Sequence, residues 1–437
     1  MGNMNANSTN YVHTYEPNTN DLTMAMDYNL QGQPILRTSS GTSETASDSF
    51  GRLRISEPLT LYESYHRYRD NGKVGTLTAN GGTSTFNVGG WIDNTVTTTA
   101  GSKVIRETLK VFAYQPGKSL QMMISFNMAA PQTNLRQRVG LFDVDNGLFF
   151  EQNDGKYYFV LRSKSTGVLQ ETRVEQKDWN IDTLLGTGTS SLVADFSKSQ
   201  IFWLDLEWLG VGTVRAGFVF NGTFIHCHSF HHSNIITGTY MTTACLPGRV
   251  EIEALGTLTS SATYKQICFS VASEGGYEPR GRSRGIGHAL DAAYELSTQN
   301  TVYPILSIRI KSGFDGAIIL PKNFSIAPIT AANFRYQILE GITTGGTWVD
   351  ADTNNSSVEY NLTATAISAT TQVYDQGYII STNQSSTSPA NQAISFRQQL
   401  QRNTLTTPKT YYEFIIGIAT TATKPKVVAS LEWEEIT

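Results

Sequence analysis

The sequence predicts an all-β protein, with two antiparallel β-sandwich domains behind an extended N-terminal arm. Three observations predict it. Charged residues make up only 16% of the 437-residue chain, against an average near ~25%. Thr, Ser, Asn and Gly take their place, a composition poor in helix formers and rich in strand and turn residues. Short runs alternate with period two, as where Phe202, Leu204 and Leu206 interleave with Trp203, Asp205 and Glu207. Turn dipeptides separate such runs, among them Asn80-Gly81, Pro116-Gly117, Asn146-Gly147, Asp154-Gly155 and Asn221-Gly222.

Residues 1–46 are dominated by Asn, Thr and Ser. Such a segment buries too little apolar surface to offset its ordering entropy alone. An arm docked on a neighbouring chain and a free terminus fit it equally. Residues 47–72 are a connector or attachment segment, in which Leu53 and Ile55 alternate with Arg52 and Arg54, and Tyr62, Tyr65 and Tyr68 follow. From 73 to 275, short strands and turns alternate in the pattern of an antiparallel sandwich, with a size that resembles a concanavalin-like jelly roll. Residues 276–300, rich in Gly and Arg, read as a linker. From 301 to 437 the strand pattern returns as a second sandwich, in runs such as YPILSIRIK and YYEFIIGIAT.

Composition bounds function. A net charge of -4 and a pI near 6.0 argue against a nucleic-acid partner, which calls for a positive excess. No apolar run approaches ~18 residues, so no membrane insertion is expected. The N-terminus lacks the basic and apolar regions of a signal peptide. Cys227, Cys245 and Cys268 form no CxxC pair, and free thiols in a reducing cytoplasm are expected.

Two stretches carry a family resemblance. One is SDSFGRLRISEP, Ser47 to Pro58; the other is WLDLEWLGVG, Trp203 to Gly212. Together they resemble a family of bacteriophage virion structural proteins, in which the first segment precedes a lectin-like sandwich that carries the second. The resemblance implies a fibre, neck, baseplate or capsid-decorating protein of a tailed phage, made in the host cytoplasm and located in the virion. It implies a homo-oligomer whose partners are copies of itself and other virion proteins. Phe50, Arg52 and Arg54 are then the attachment residues. Two alternatives remain, a glycan-binding adhesin of the host cell surface and a glycan depolymerase.

The sites expected from residue chemistry are few. Asp205 and Glu207 share a strand face, but lectin-like glycosidases carry E-x-D-x-x-E, and here the third acid is missing. An ion pair with Arg215 across the hairpin is expected instead. No Walker loop, GxSxG or HExxH occurs, so no catalytic residue, no cofactor and no enzyme are expected. His226 and His228 have metal-chelating spacing, yet stand alone, and no metal is expected. Arg280, Arg282 and Arg284 in PRGRSRG read as a solvated or subunit-paired loop. Asp143, Asp145 and Asn146 read as a type I′ turn. Trp91, Trp179 and Trp348 are the aromatics expected to stack on sugar rings.

Overall fold

The computed structural model describes residues 58–276, 278, 280–380 and 398–436, together with the backbone strands Met24–Tyr28 and Pro34–Thr38. The chain is all-β. Its strand pairs are antiparallel, and the helical elements among the described residues are two 3-10 turns, Gln176–Asp178 and Leu290–Ala292. Among the described residues, no helix is long and apolar enough to cross a membrane.

The first sandwich stacks a seven-stranded sheet on an eight-stranded one. The seven-stranded sheet runs Gln170–Glu175, Lys156–Ser163, Gly147–Asn153, Leu135–Phe142, Gly248–Ala254, Lys103–Thr108, Val74–Ala79. The eight-stranded sheet runs Thr223–Phe230, Val214–Phe220, Gln200–Leu206, Leu120–Asn127, Ala262–Ser273, Trp91–Val96, Thr83–Asn87, with Leu59–Ser64 also on Ala262–Ser273. Alternation fills the core: Leu120, Met122, Ile124 and Phe126 point between the sheets, and Gln121, Met123, Ser125 and Asn127 point out. Phe150 sits at the centre, with the rings of Phe126, Phe159, Phe196, Phe202 and Phe218 no more than 6.2 Å away between centroids. Each such buried side chain contributes about 1.5–3 kcal/mol. Leu59–Ser64, read as connector, is a strand of this domain, and Tyr62 packs on Phe112 and Phe269.

In the second sandwich, a six-stranded sheet runs Val349–Asp350, Val358–Asn361, Tyr303–Ile310, Glu413–Thr420, Asn333–Thr344, Ala366–Ile380. It packs on a four-stranded sheet organised by Lys426–Ile436, which pairs with Ile318–Pro328 on one side and with Arg282–Gly287 and Tyr294–Glu295 on the other. The 276–300 linker reading is therefore corrected. Gly281 and Gly287 approach so closely that a Cβ would meet Glu434 at 2.5 Å and Ser430 at 2.9 Å. The glycines serve strand pairing there rather than looseness.

Ala366–Ile380 is a sheet edge, with a partner on one side only among the described residues. It has 15 residues against 12 in its neighbour Asn333–Thr344, and three bulges absorb the difference. Its last six residues pair without irregularity, and Tyr378 and Ile380 are 78% and 76% exposed.

The sandwiches meet through apolar packing and one arginine. Val111 and Ala113, in the run after Lys103–Thr108, pack on Ile318 and Leu320. Arg402 is buried at the junction. It donates from Nη1 to the carbonyl of Thr108 and from Nε to that of Asp315, both at 2.9 Å. Thr404 Oγ1 donates to Glu107 at 2.6 Å.

The arm reading is corrected in part. Met24–Tyr28 pairs with Pro34–Thr38 as a hairpin, Met24 opposite Thr38. The signal was a cluster of apolar residues, Met24, Met26, Leu30, Ile35 and Leu36 among them, in a polar stretch.

Candidate functional site

Phe50, Arg52 and Arg54 lie outside the described residues. The other expected positions can be placed.

Asp205 stands opposite Arg215 in the register between Gln200–Leu206 and Val214–Phe220. Arg215 donates from Nε to Asp205 Oδ2 at 3.1 Å, and its Nη2 reaches the same oxygen. Both residues are buried on the outer face of the eight-stranded sheet, as is Trp203 two positions earlier. Trp203 lies 5.9 Å from Phe224 and 5.7 Å from His226 between ring centroids. It fits because Gly217 lies opposite: a Cβ there would stand 2.9 Å from the indole nitrogen.

His226 and His228 do not share a face. A bulge between Ala216 and Gly217 sets His226 opposite Gly217 and His228 opposite Ala216. One extra residue inverts the alternation. His226 therefore joins Trp203 outside, and His228 turns inward onto Phe159. No metal-holding group of His, Cys, Asp and Glu occurs among the described residues. His228 Nδ1 accepts from the backbone N–H of Asn180 at 3.2 Å. Burial, and then the neighbouring His226 and His231, push its pKa down to about 4.

The three tryptophans differ. Trp179 is buried, stacked on Phe159 at 4.2 Å, and offers no sugar platform. Trp348 is half-buried with the Arg309 guanidinium 3.9 Å from its ring centre. Trp91 is half-buried on the outer face, its indole N–H donating to Asp93 at 2.8 Å and Lys265 Nζ 4.9 Å from its ring centre.

The densest polar constellation is one that motif reasoning missed, the outer face of the seven-stranded sheet. Register places opposite charges directly across from each other: Arg138 opposite Glu151 and Glu251, Arg162 opposite Glu171, Arg249 opposite Glu107. Such pairs are the sheet's cross-strand stabilising unit. Arg173 donates to Glu151 at 2.9 Å, Arg162 to Glu171 at 2.9 Å, and Arg249 to Glu251 at 2.7 Å and Glu107 at 2.8 Å. Phe142 and Phe149 lie among them, 4.5 Å apart, with the Arg138, Arg162 and Arg249 guanidinium groups 5.1–5.6 Å from the ring centres. Guanidinium stacking on rings adds to the pairing. Burial acts to raise the Glu251 pKa, but Arg249, Arg138 and Arg162 outweigh it and hold the carboxyl below its usual range. The signal lay in charges at every second position, as in Arg249-x-Glu251-x-Glu253 and Glu171-x-Arg173-x-Glu175.

No protein-family model matches the chain, and no curated protein matches it. Among solved structures, a β-1,3-1,4-glucanase (lichenase) from a mouse hindgut metagenome is similar at TM-score 0.32 and 11% identity, covering 48% of this chain and 97% of that one. The CBM2 module of the evolved Dit of a Lactobacillus casei phage has TM-score 0.32 and 9% identity, covering 51% of this chain and 99% of that one. A glycosyl hydrolase family protein from Mycobacterium fortuitum has TM-score 0.33 and 8% identity, covering 48% and 99%. Likeness at this level assigns no activity. With glycoside hydrolases recurring in the set, however, the expectation of a non-enzymatic chain is corrected: the absence of catalysis does not follow from this fold.

Proposed function

We infer that the chain is a structural component of a tailed-bacteriophage virion, assembled with copies of itself and with other virion proteins through its N-terminal segment. The observation that carries this reading is the edge Ala366–Ile380, open among the described residues. Proteins that remain alone blunt such edges with Lys, Pro or bulges. Here bulges cover the first part, while Asp375–Ile380 stays regular, carries one charge and presents Tyr378 and Ile380 to solvent. An edge of this kind suits a protein whose edge is paired in an assembly. The Met24–Tyr28/Pro34–Thr38 hairpin supports the same reading. A lone two-stranded hairpin is marginal in water, and docking on a neighbour would stabilise it. The family resemblance of Ser47–Pro58 and Trp203–Gly212 points the same way.

The test is mass spectrometry of purified particles combined with light scattering of the purified chain. The expected result is the protein in particles and an oligomer in solution. The double substitution Arg52→Ala, Arg54→Ala should weaken incorporation while far-UV circular dichroism stays unchanged. A monomeric chain absent from particles would overturn the reading.

A further inference from the structure

A cleft of about 760 Å³ opens where the two sandwiches meet. That volume falls within the range of ~300–1,000 Å³ typical of ligand sites. The first sandwich contributes the loop Tyr114–Lys118, the run between the domains contributes Glu278 and Arg280, and the second contributes Arg282, Phe314, Asn354–Ser357 and Glu435.

Its charges are unequal. Glu435 is already satisfied, accepting from Ser356 Oγ at 2.6 Å, the Ser357 N–H at 3.0 Å and Trp433 Nε1 at 2.8 Å, with Arg284 Nε 3.2 Å away. Glu278 is shared between Arg280 and Lys118. Arg282 is exposed, and no carboxylate pairs with it among the described residues. The cleft mouth is thus positive on a chain whose net charge is -4.

Its shape-giving groups are fixed. Asp352 Oδ1 accepts the backbone N–H groups of Asn354 and Asn355, each at 3.0 Å, which holds the amide-bearing turn at the rim. Gln115 bonds the backbone of Glu278 in both directions, at 2.7 and 3.3 Å, and so ties the first sandwich's loop to the opposite wall. Phe314 is 42% exposed in the cleft. A part-exposed aromatic ring with Lys311 Nζ 5.8 Å from its centre, side-chain amides and a guanidinium with no carboxylate partner among the described residues together match a ring with one apolar face, several hydroxyls and a carboxylate.

We propose that this inter-domain cleft binds an acidic oligosaccharide of the uronic-acid class, a sugar face on Phe314 and a carboxylate on Arg282. The site is independent of how the chain enters a particle. A nucleic acid is disfavoured, because the surrounding chain is acidic and one arginine cannot track a phosphate backbone.

The test is titration calorimetry on the full chain with oligogalacturonate, a neutral maltooligosaccharide of equal length, inorganic phosphate and poly-glutamate. Oligogalacturonate is expected to bind at least about tenfold more tightly than each of the others, and more weakly as salt rises. Arg282→Gln and Phe314→Ala, each with its melting temperature checked against the parent, are each expected to weaken that binding by about tenfold. Equal binding of the neutral sugar, phosphate or poly-glutamate would overturn the proposal. So would no detectable binding of oligogalacturonate, or binding unchanged in two folded variants.

Discussion

Arg138 Nε donates to Glu151 Oε2 at 2.6 Å, and the two residues stand directly opposite in adjacent strands. Both are buried, although they lie on the outer side of their sheet. Arg173 adds a second donor to Glu151, so one carboxylate joins three strands.

Breaking a buried pair costs more than the pair is worth, because a charge is left behind. Glu151→Gln is therefore predicted to destabilise the protein by ~3 kcal/mol in urea unfolding. Replacing Arg138 by Met and Glu151 by Leu together is predicted to recover part of that loss. A cost below ~1 kcal/mol for Glu151→Gln would mean that the layer is held by its phenylalanines instead.

His228 gives a pH dependence of defined sign. Its folded pKa of about 4 lies below the ordinary ~6.5, so the unfolded chain binds the proton more readily. Stability from this group is complete above about pH 6.5 and falls as pH drops toward about 4, by on the order of 1–3 kcal/mol. Melting temperatures of the parent and of His228→Asn across that window check it. The parent should lose more than the variant. A parent that gains stability as pH falls, relative to the variant, would reverse the assignment.

Arg402 binds carbonyls on both sides of the junction, Thr108 on one and Asp315 on the other. Arg402→Ala is predicted to split a single calorimetric transition into two, with the first lowered by several degrees. A single transition at the parental temperature would assign the coupling to Val111, Ala113, Ile318 and Leu320 alone.

Gly217 admits Trp203. A methyl there would also stand 2.0 Å from the Ile225 carbonyl, so backbone must move. Gly217→Ala is predicted to cost ~2 kcal/mol, within the overpacking range, and to raise the solvent quenching of Trp203 fluorescence.

Local chemistry was legible where it was self-contained. Asn221 and Gly222 have φ of 50° and 77° and form the two-residue turn that their identities call for. The Asp205–Arg215 pair followed from register across that meander. The Asp143 turn was misread. Asp145 and Asn146 do not take positive φ; Asp143 Oδ1 instead accepts both of their N–H groups, at 2.8 and 2.7 Å, an Asx turn. The histidine pair failed because a bulge of one residue leaves no mark in the pattern. Trp179 failed because its burial is set by Phe159 and Phe218, partners distant in sequence. Arg282–Gly287 looked like a loop because its order comes from backbone bonds to Lys426–Ile436, which composition cannot report. The cleft joins residues more than 300 positions apart in sequence, as Gln115 and Glu435 are, and no local motif encodes that.

Ala366–Ile380 has three residues more than the strand it runs beside. It behaves as the outer rail of a bend, longer than the inner one, and the ribbon must coil to keep its bonds. Ser368, Thr371 and Tyr374 pin the successive irregularities with their own hydroxyls, on the Ile342 carbonyl and on Glu340. A straight strand laid along that rail would stay in step only over the closing stretch, Asp375 to Ile380. The curvature thus sorts prospective neighbours by length as well as by chemistry. A short segment can seat fully, while a long one must already be wound to the same pitch.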